Sequence, residues 1–155
     1  MRKQLHDAIA TLLTTDAPFV AAMQALNLGS HGTPVTPGVT RGMRDWRKIR
    51  QEVFPTWVLE PGDAQTVEQG LGSCHLVQDA EVLLALVWHQ QDHDTAYNQR
   101  LALEDDVVRL FLRSPRPGNV ADTVADASGN DRQANHPFHI VTFRLISTLE
   151  IRRNA

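Results

Sequence analysis

The stretch EVLLALVWHQQDHDTA, Glu81 to Ala96, decides the fold. Val82 to Trp88 is a run of seven apolar residues, so it shows neither the alternation of a half-exposed strand nor the stripe of a surface helix. A strand buried on both faces accepts such a run, and so does a buried helix. Length separates them. As a helix, the run would fuse with the helical pattern behind it into about 35 unbroken residues, which is out of scale for a small domain. We therefore expect a central strand over about 80–90, then a turn. A helix should follow over about 95–113, TAYNQRLALEDDVVRLFLR, capped by Asp92 or Asp94 and ended by Pro115 and Pro117. Tyr97, Leu101, Val108, Phe111 and Leu112 are the residues expected to face the sheet.

The same reading governs the histidines. His89 and His93 stand four apart, as in a zinc-protease helix, where both imidazoles share one face and a glutamate after the first takes a proton from bound water. Here Gln90 follows the first histidine, and an amide accepts no such proton. If His89 ends a strand and His93 lies in the turn before a helix, the shared face is missing as well. His136 and His139, near the start of a strand, are a second possible pair, with His139 on the same face as Val141. A metal-dependent hydrolase using His89, His93, His136 or His139 is thus one rival reading. Most of the seven histidines are expected at the surface or as satisfied hydrogen-bonding groups.

Other chemistry finds no pattern to carry it. Cys74 is the single cysteine, which excludes an internal disulfide, a cysteine zinc cage and a redox pair. No serine stands in a Gly-x-Ser-x-Gly elbow, and GSHGTPVTPG lacks the lysine and hydroxyl of a phosphate loop. Glu104, Asp105 and Asp106 read as an exposed helix face. No catalytic, cofactor-binding or metal-binding residue is assigned, and the protein is not expected to be an enzyme.

Outward from the central run, the chain reads as one domain of 155 residues. It is 42% hydrophobic with a net charge of −3, the composition of a soluble globular protein. No apolar run approaches the ~18–20 residues that span a bilayer, and the first residues lack a signal-peptide pattern, so a cytoplasmic protein is expected. Leu5, Ile9 and Leu12 mark an amphipathic helix over about 2–14. Asp16 caps a short second helix containing FVAAMQAL, with Pro18 in its first turn. Asn27 to Gly42, rich in glycine and proline, reads as a long loop. RGMRDWRKIRQEVFP follows as a short basic helix burying Met43, Trp46, Ile49 and Val53. TWVLE is a strand, with Pro61–Asp63 as its turn. The segment 118–137 is a polar arm with at most a weak strand. FHIVTFRLISTLEIRR alternates for its whole length and reads as a long half-buried strand. Together these give an α+β fold: a mixed, mostly antiparallel sheet of about four to five strands, covered by helices mainly on one face, with long loops at 27–40 and 114–136.

The order of these segments resembles the tail terminator proteins of long-tailed bacteriophages, also called tail completion or minor tail proteins. FPTWVLEPGD after a basic helix, EVLLALVW, a helix opening at DHDTA, a polar arm and a final strand ending EIRR carry the likeness over about 1–152. The resemblance implies a structural protein without cofactor, forming a hexameric ring that caps the tail tube, ends its polymerisation and meets the head's connector. Its partners would be further copies of itself, the tail tube protein and the connector. Its place would be the host cytoplasm during assembly and then the virion tail. A closed head-to-tail ring needs two unlike patches per subunit. The basic residues Arg41, Arg44, Arg47, Lys48 and Arg50, with Arg116, Val120 and Val124 in the polar arm, are the candidate contacts. The acidic runs at 79–81 and 104–106 are their counterparts. The alternative is a small nucleic-acid-binding protein using the same basic helix and Trp46.

Overall fold

A computed structural model describes residues 1–42, 54–69, 75–132 and 134–152. Two helices open the chain, α1 (Arg2–Thr15) and α2 (Ala17–Ala25). Strands β1 (Gly38–Arg41), β2 (Thr56–Gln69) and β3 (His75–His89) follow, then α3 (His93–Arg113), β4 (Asp122–Asn130) and β5 (Phe138–Arg152). The five strands lie in the order β1-β2-β3-β5-β4. Only β1 and β2 run parallel; the other pairs are antiparallel. The fold is α+β, with a mixed sheet as expected.

The apolar run becomes the middle strand. β3 pairs with β5 from His75↔Arg152 to His89↔Phe138 and with β2 along its other edge. Successive side chains alternate faces. Ala80, Val82, Leu84, Leu86 and Trp88 point to the helices and are buried. They meet Trp57 and Leu59 of β2 and Val141, Phe143, Leu145 and Leu149 of β5. Above them pack Leu5, Ile9 and Leu13 of α1, Phe19 and Met23 of α2, and Leu103, Val107, Leu110 and Phe111 of α3.

Both caps form where the sequence places them. The Asp16 carboxylate accepts from the Phe19 N–H at 3.1 Å and from Arg113 Nη2 at 2.8 Å, which fastens the start of α2 to the end of α3. The Asp92 carboxylate accepts from the Thr95 N–H at 2.8 Å and opens α3. Among the described residues, no helix is long and apolar enough to cross a membrane.

Four local expectations need correction. Pro61–Asp63 is not a turn: β2 continues to Gln69, and register shifts near Pro61 and Thr66 absorb the irregularity. β1 pairs only with Thr56 to Leu59, so among the described residues Pro61 has no strand neighbour on that side that its missing N–H would fail to reach. The loop at 27–40 contains a 3-10 turn, Ser30–Gly32, and the start of β1. The arm at 114–136 contains a 3-10 turn, Pro117–Asn119, and the nine-residue β4. β4 is held by backbone pairing to β5, and only Thr123 along it is fully buried, so its side chains carry almost no alternation to read.

The fourth correction concerns the rotation of α3. Ala96, Gln99, Arg100, Leu103, Val107, Leu110 and Phe111 face the sheet, whereas Tyr97, Leu101, Val108 and Leu112 are exposed; of the five residues expected inside, only Phe111 is. Both sets have helical spacing, so periodicity does not choose between them. A polar bridge does. Trp88 Nε1 donates to Gln99 Oε1 at 3.0 Å, and Gln99 Nε2 donates to the Leu26 carbonyl at 2.9 Å, joining β3, α3 and the end of α2.

Gln99→Ala strands the buried Trp88 N–H and removes a donor from the Leu26 carbonyl. We expect a loss of about 1–3 kcal/mol in urea unfolding with an unchanged m-value. A loss below about 0.5 kcal/mol would show that the bridge does not hold α3 in place.

Candidate assembly surfaces and the histidine junction

The histidines meet where β3, α3 and β5 converge. His89 is the last residue of β3 and His93 the first of α3, so they share no helical face. His89 lies edge-on to Phe138 with ring centroids 5.3 Å apart, while His93 stacks on His136 at 4.0 Å. His136 in turn meets His139 edge-on at 5.6 Å.

His139 is wholly buried beside Trp88. Its Nε2–H donates to the Gln90 carbonyl at 2.9 Å, which leaves Nδ1 as the lone-pair nitrogen of the neutral ring. That Nδ1 and the Nδ1 of His136 are buried without a partner. Burial lowers the pKa of His139, against the Gln90 bond and the Asp131 charge, which raise it. Among the described residues, no three His, Cys, Asp or Glu side chains are grouped so as to hold a metal ion. The junction packs these rings together at one end of the sheet.

The residues proposed as contacts fall in different places. Arg41 is not helical; it ends β1 and forms an ion pair with Asp7 of α1, which Lys3 joins at 2.7 Å. Hydrogen bonds from Lys3 and then Arg41 hold the Asp7 carboxyl down at about 2. Arg44, Arg47, Lys48 and Arg50, and the basic helix expected there, lie outside the described residues, as does Cys74. Arg116 is 3.6 Å from Asp122. Val120 is half-buried and packs against the core. Val124 is exposed on β4.

The acidic runs separate as well. In the first, Asp79 accepts from Thr148 at 3.0 Å and Glu81 from Arg144 at 2.9 Å, and Arg144 also reaches Asp126 at 3.0 Å. These groups lie on the face of the sheet opposite the helices. In the second, partial burial raises the pKa of Asp106, partly offset by Arg109 at 4.0 Å.

The uncovered face of the sheet is the surface that residue-by-residue reading missed. The register places Val58, Ala85, Thr142 and Gly129 in one row across β2, β3, β5 and β4. Glu60, Leu83, Arg144 and Ala127 form the next row. Together they line a groove with an apolar floor and a charged rim. The signal was present in the sequence: apolar residues at both parities of β3 mean an apolar surface on both sides, and among the described residues only one side carries helices. No family model matches the chain, and no curated protein matches it.

His139 gives this junction a pH dependence of known sign. Its ring is held neutral in the fold, whereas the unfolded chain protonates below its ordinary value of 6.5. The unfolded state then binds more protons, so the stabilisation is complete above 6.5 and is lost as pH falls through the lowered folded value. Thermal unfolding followed between about pH 7.5 and about pH 5 should show a falling melting temperature, about 2–4 °C for each kcal/mol lost. His139→Phe should give a shallower fall; parallel profiles for the two proteins would assign the pH dependence elsewhere.

Proposed function

We propose that the chain is a structural assembly protein of a phage tail, forming a ring that caps the tail tube, ends its polymerisation and offers a surface to the head's connector. One observation carries the reading: three strands of 14 or 15 residues form a broad layer covered by helices on one side, while the other side presents an apolar-floored groove with a charged rim. An antiparallel sheet can leave one face to water, but an apolar floor on that face, open among the described residues, suits contact with another protein. The order of segments, similar to that of tail terminators, supplies the kind of assembly. In this reading the groove and the two sheet edges, β1 and β4, serve contacts between copies and with the tube, and no residue has a catalytic role.

In the nucleic-acid reading Arg41, paired with Asp7 but half-exposed, would act with the basic residues that follow it. That reading makes its own demand on experiment: binding through Arg44, Arg47, Lys48 and Arg50 must weaken steeply with salt. Retardation of DNA that is strong in low salt and abolished near physiological salt would favour it over assembly.

Light scattering on the purified chain tests the ring. Six copies of 17.3 kDa give about 104 kDa at high concentration, dissociating on dilution. A particle of 17.3 kDa at every concentration, with purified tube protein present or absent, would contradict the reading.

A further inference from the structure

Arg100 is a buried cation without a counter-charge. It points inward from α3 toward the end of β4 and is 9% exposed, a degree of burial that arginine rarely reaches unless a carboxylate pairs with it. Its polar contacts among the described residues fall short of that. Nη1 donates to Asn130 Oδ1 at 3.4 Å, and the guanidinium lies 5.8 Å from the centroid of the Tyr97 ring. The hydrogen bond is longer than the usual range, and a guanidinium has five N–H groups to satisfy.

A cleft of about 290 Å³ adjoins it, lined by Tyr97, Arg100, Leu101, Glu104, Asn130 and Arg132. Asn130 ties the two arginines together there, because the Oδ1 that accepts from Arg100 also accepts from the Arg132 N–H at 2.9 Å. Among the described residues, Arg100, Arg132 and Glu104 form no ion pair. Asp131, next to Arg132 in the chain, accepts from Asn135 at 3.2 Å. Tyr97 and Leu101, both half-exposed, supply the apolar part of the lining.

We propose that this cleft binds a small organic carboxylate with an aromatic or apolar body. The carboxylate accepts from the N–H groups that Arg100 leaves unused, two parallel donors meeting two oxygens, and Arg132 adds a second positive charge. The body of the ligand lies against Tyr97 and Leu101. Charge selects among anions. Two guanidiniums and the Glu104 carboxylate give the lining a single net positive charge, which a carboxylate balances and a phosphate dianion exceeds. The site stands apart from the ring reading above.

NMR spectra of the backbone amides and arginine side chains of the full chain, titrated with benzoate, test the site. Benzoate should shift the signals of Tyr97, Leu101, Asn130 and the Arg100 Nε–H saturably. Benzamide, of the same shape without the charge, should not bind, and phenyl phosphate should bind about tenfold more weakly than benzoate. Glu104→Gln should reverse that order, since two uncompensated cations then line the cleft. Arg100→Gln should abolish benzoate binding. If that variant fails to fold, Arg132→Gln, at an exposed position, should weaken benzoate about tenfold with circular dichroism like that of the wild type.

A chain terminus and a free acid offer the same carboxylate. Acetyl-glycyl-phenylalanine bound more tightly than benzoate would name the terminus, and the reverse order the free acid. No saturable shift with benzoate, or equal binding of benzamide, would overturn the site. Phenyl phosphate held by the wild type as tightly as benzoate would overturn the assignment of a carboxylate.

Discussion

Antiparallel pairing along both edges of β3 is the constraint from which the rest of the molecule follows. Once Val82–Trp88 is held between β2 and β5, strand geometry sends Val82, Leu84, Leu86 and Trp88 to one face and Leu83, Ala85 and Val87 to the other. Apolar side chains of both parities then require a cover on both faces. α1, α2 and α3 cover one. On the other, Val87 is 2% exposed, while Leu83 and Ala85 remain half-buried at the floor of a groove. The same pairing ends β3 at His89 and starts α3 four residues later, which turns a spacing suggestive of zinc ligation into a set of rings in stacked and edge-on contact.

The polar contacts of the interior are few, and they act on orientation. Gln99 fixes the rotation of α3 by bonding to both Trp88 and Leu26, and that choice of face leaves Tyr97, Leu101, Val108 and Leu112 outside. Thr123 and Ser147, buried with their hydroxyls 2.8 Å apart, join β4 to β5 at the end of the sheet far from the histidines. Interior hydrogen bonds of this kind add modestly to stability, but leaving one of their members unpaired is costly, so they select one arrangement among several that the apolar residues alone would accept.

Much of this was legible in the chain. The middle strand, α1, α2 with its Asp16 cap, α3 with its Asp92 cap, and the long alternating β5 all follow from apolar spacing and capping chemistry. β1 was not, and β4 only as a weak strand in a polar arm, because edge strands are held by backbone pairing, and DTVADASGN has too few apolar residues to alternate. The Pro-Gly of β2 misled for the same reason: local turn chemistry gave way to a strand whose open edge tolerates proline. The face of α3 was misread because the helix carries two apolar arcs, and the residue that chooses between them, Gln99, is polar. Of the candidate contacts, Arg41 is paired with Asp7, Val120 is half-buried against the core, and Val124 is exposed on β4. The groove was hidden in plain composition, since a run that is apolar at every position does not say which side will lack a cover.

Residue-resolved amide hydrogen exchange on the dilute chain tests the central constraint most directly. A strand bonded along both edges opens only with the whole fold, so the amides from Val82 to Val87 should exchange among the slowest in the protein, together with their partners in β5. Those of β4 and of β2 beyond Pro61 should exchange far faster. Exchange from Val82 to Val87 as rapid as in β4, or protection running unbroken from Val82 through α3 as in one continuous helix, would contradict the account.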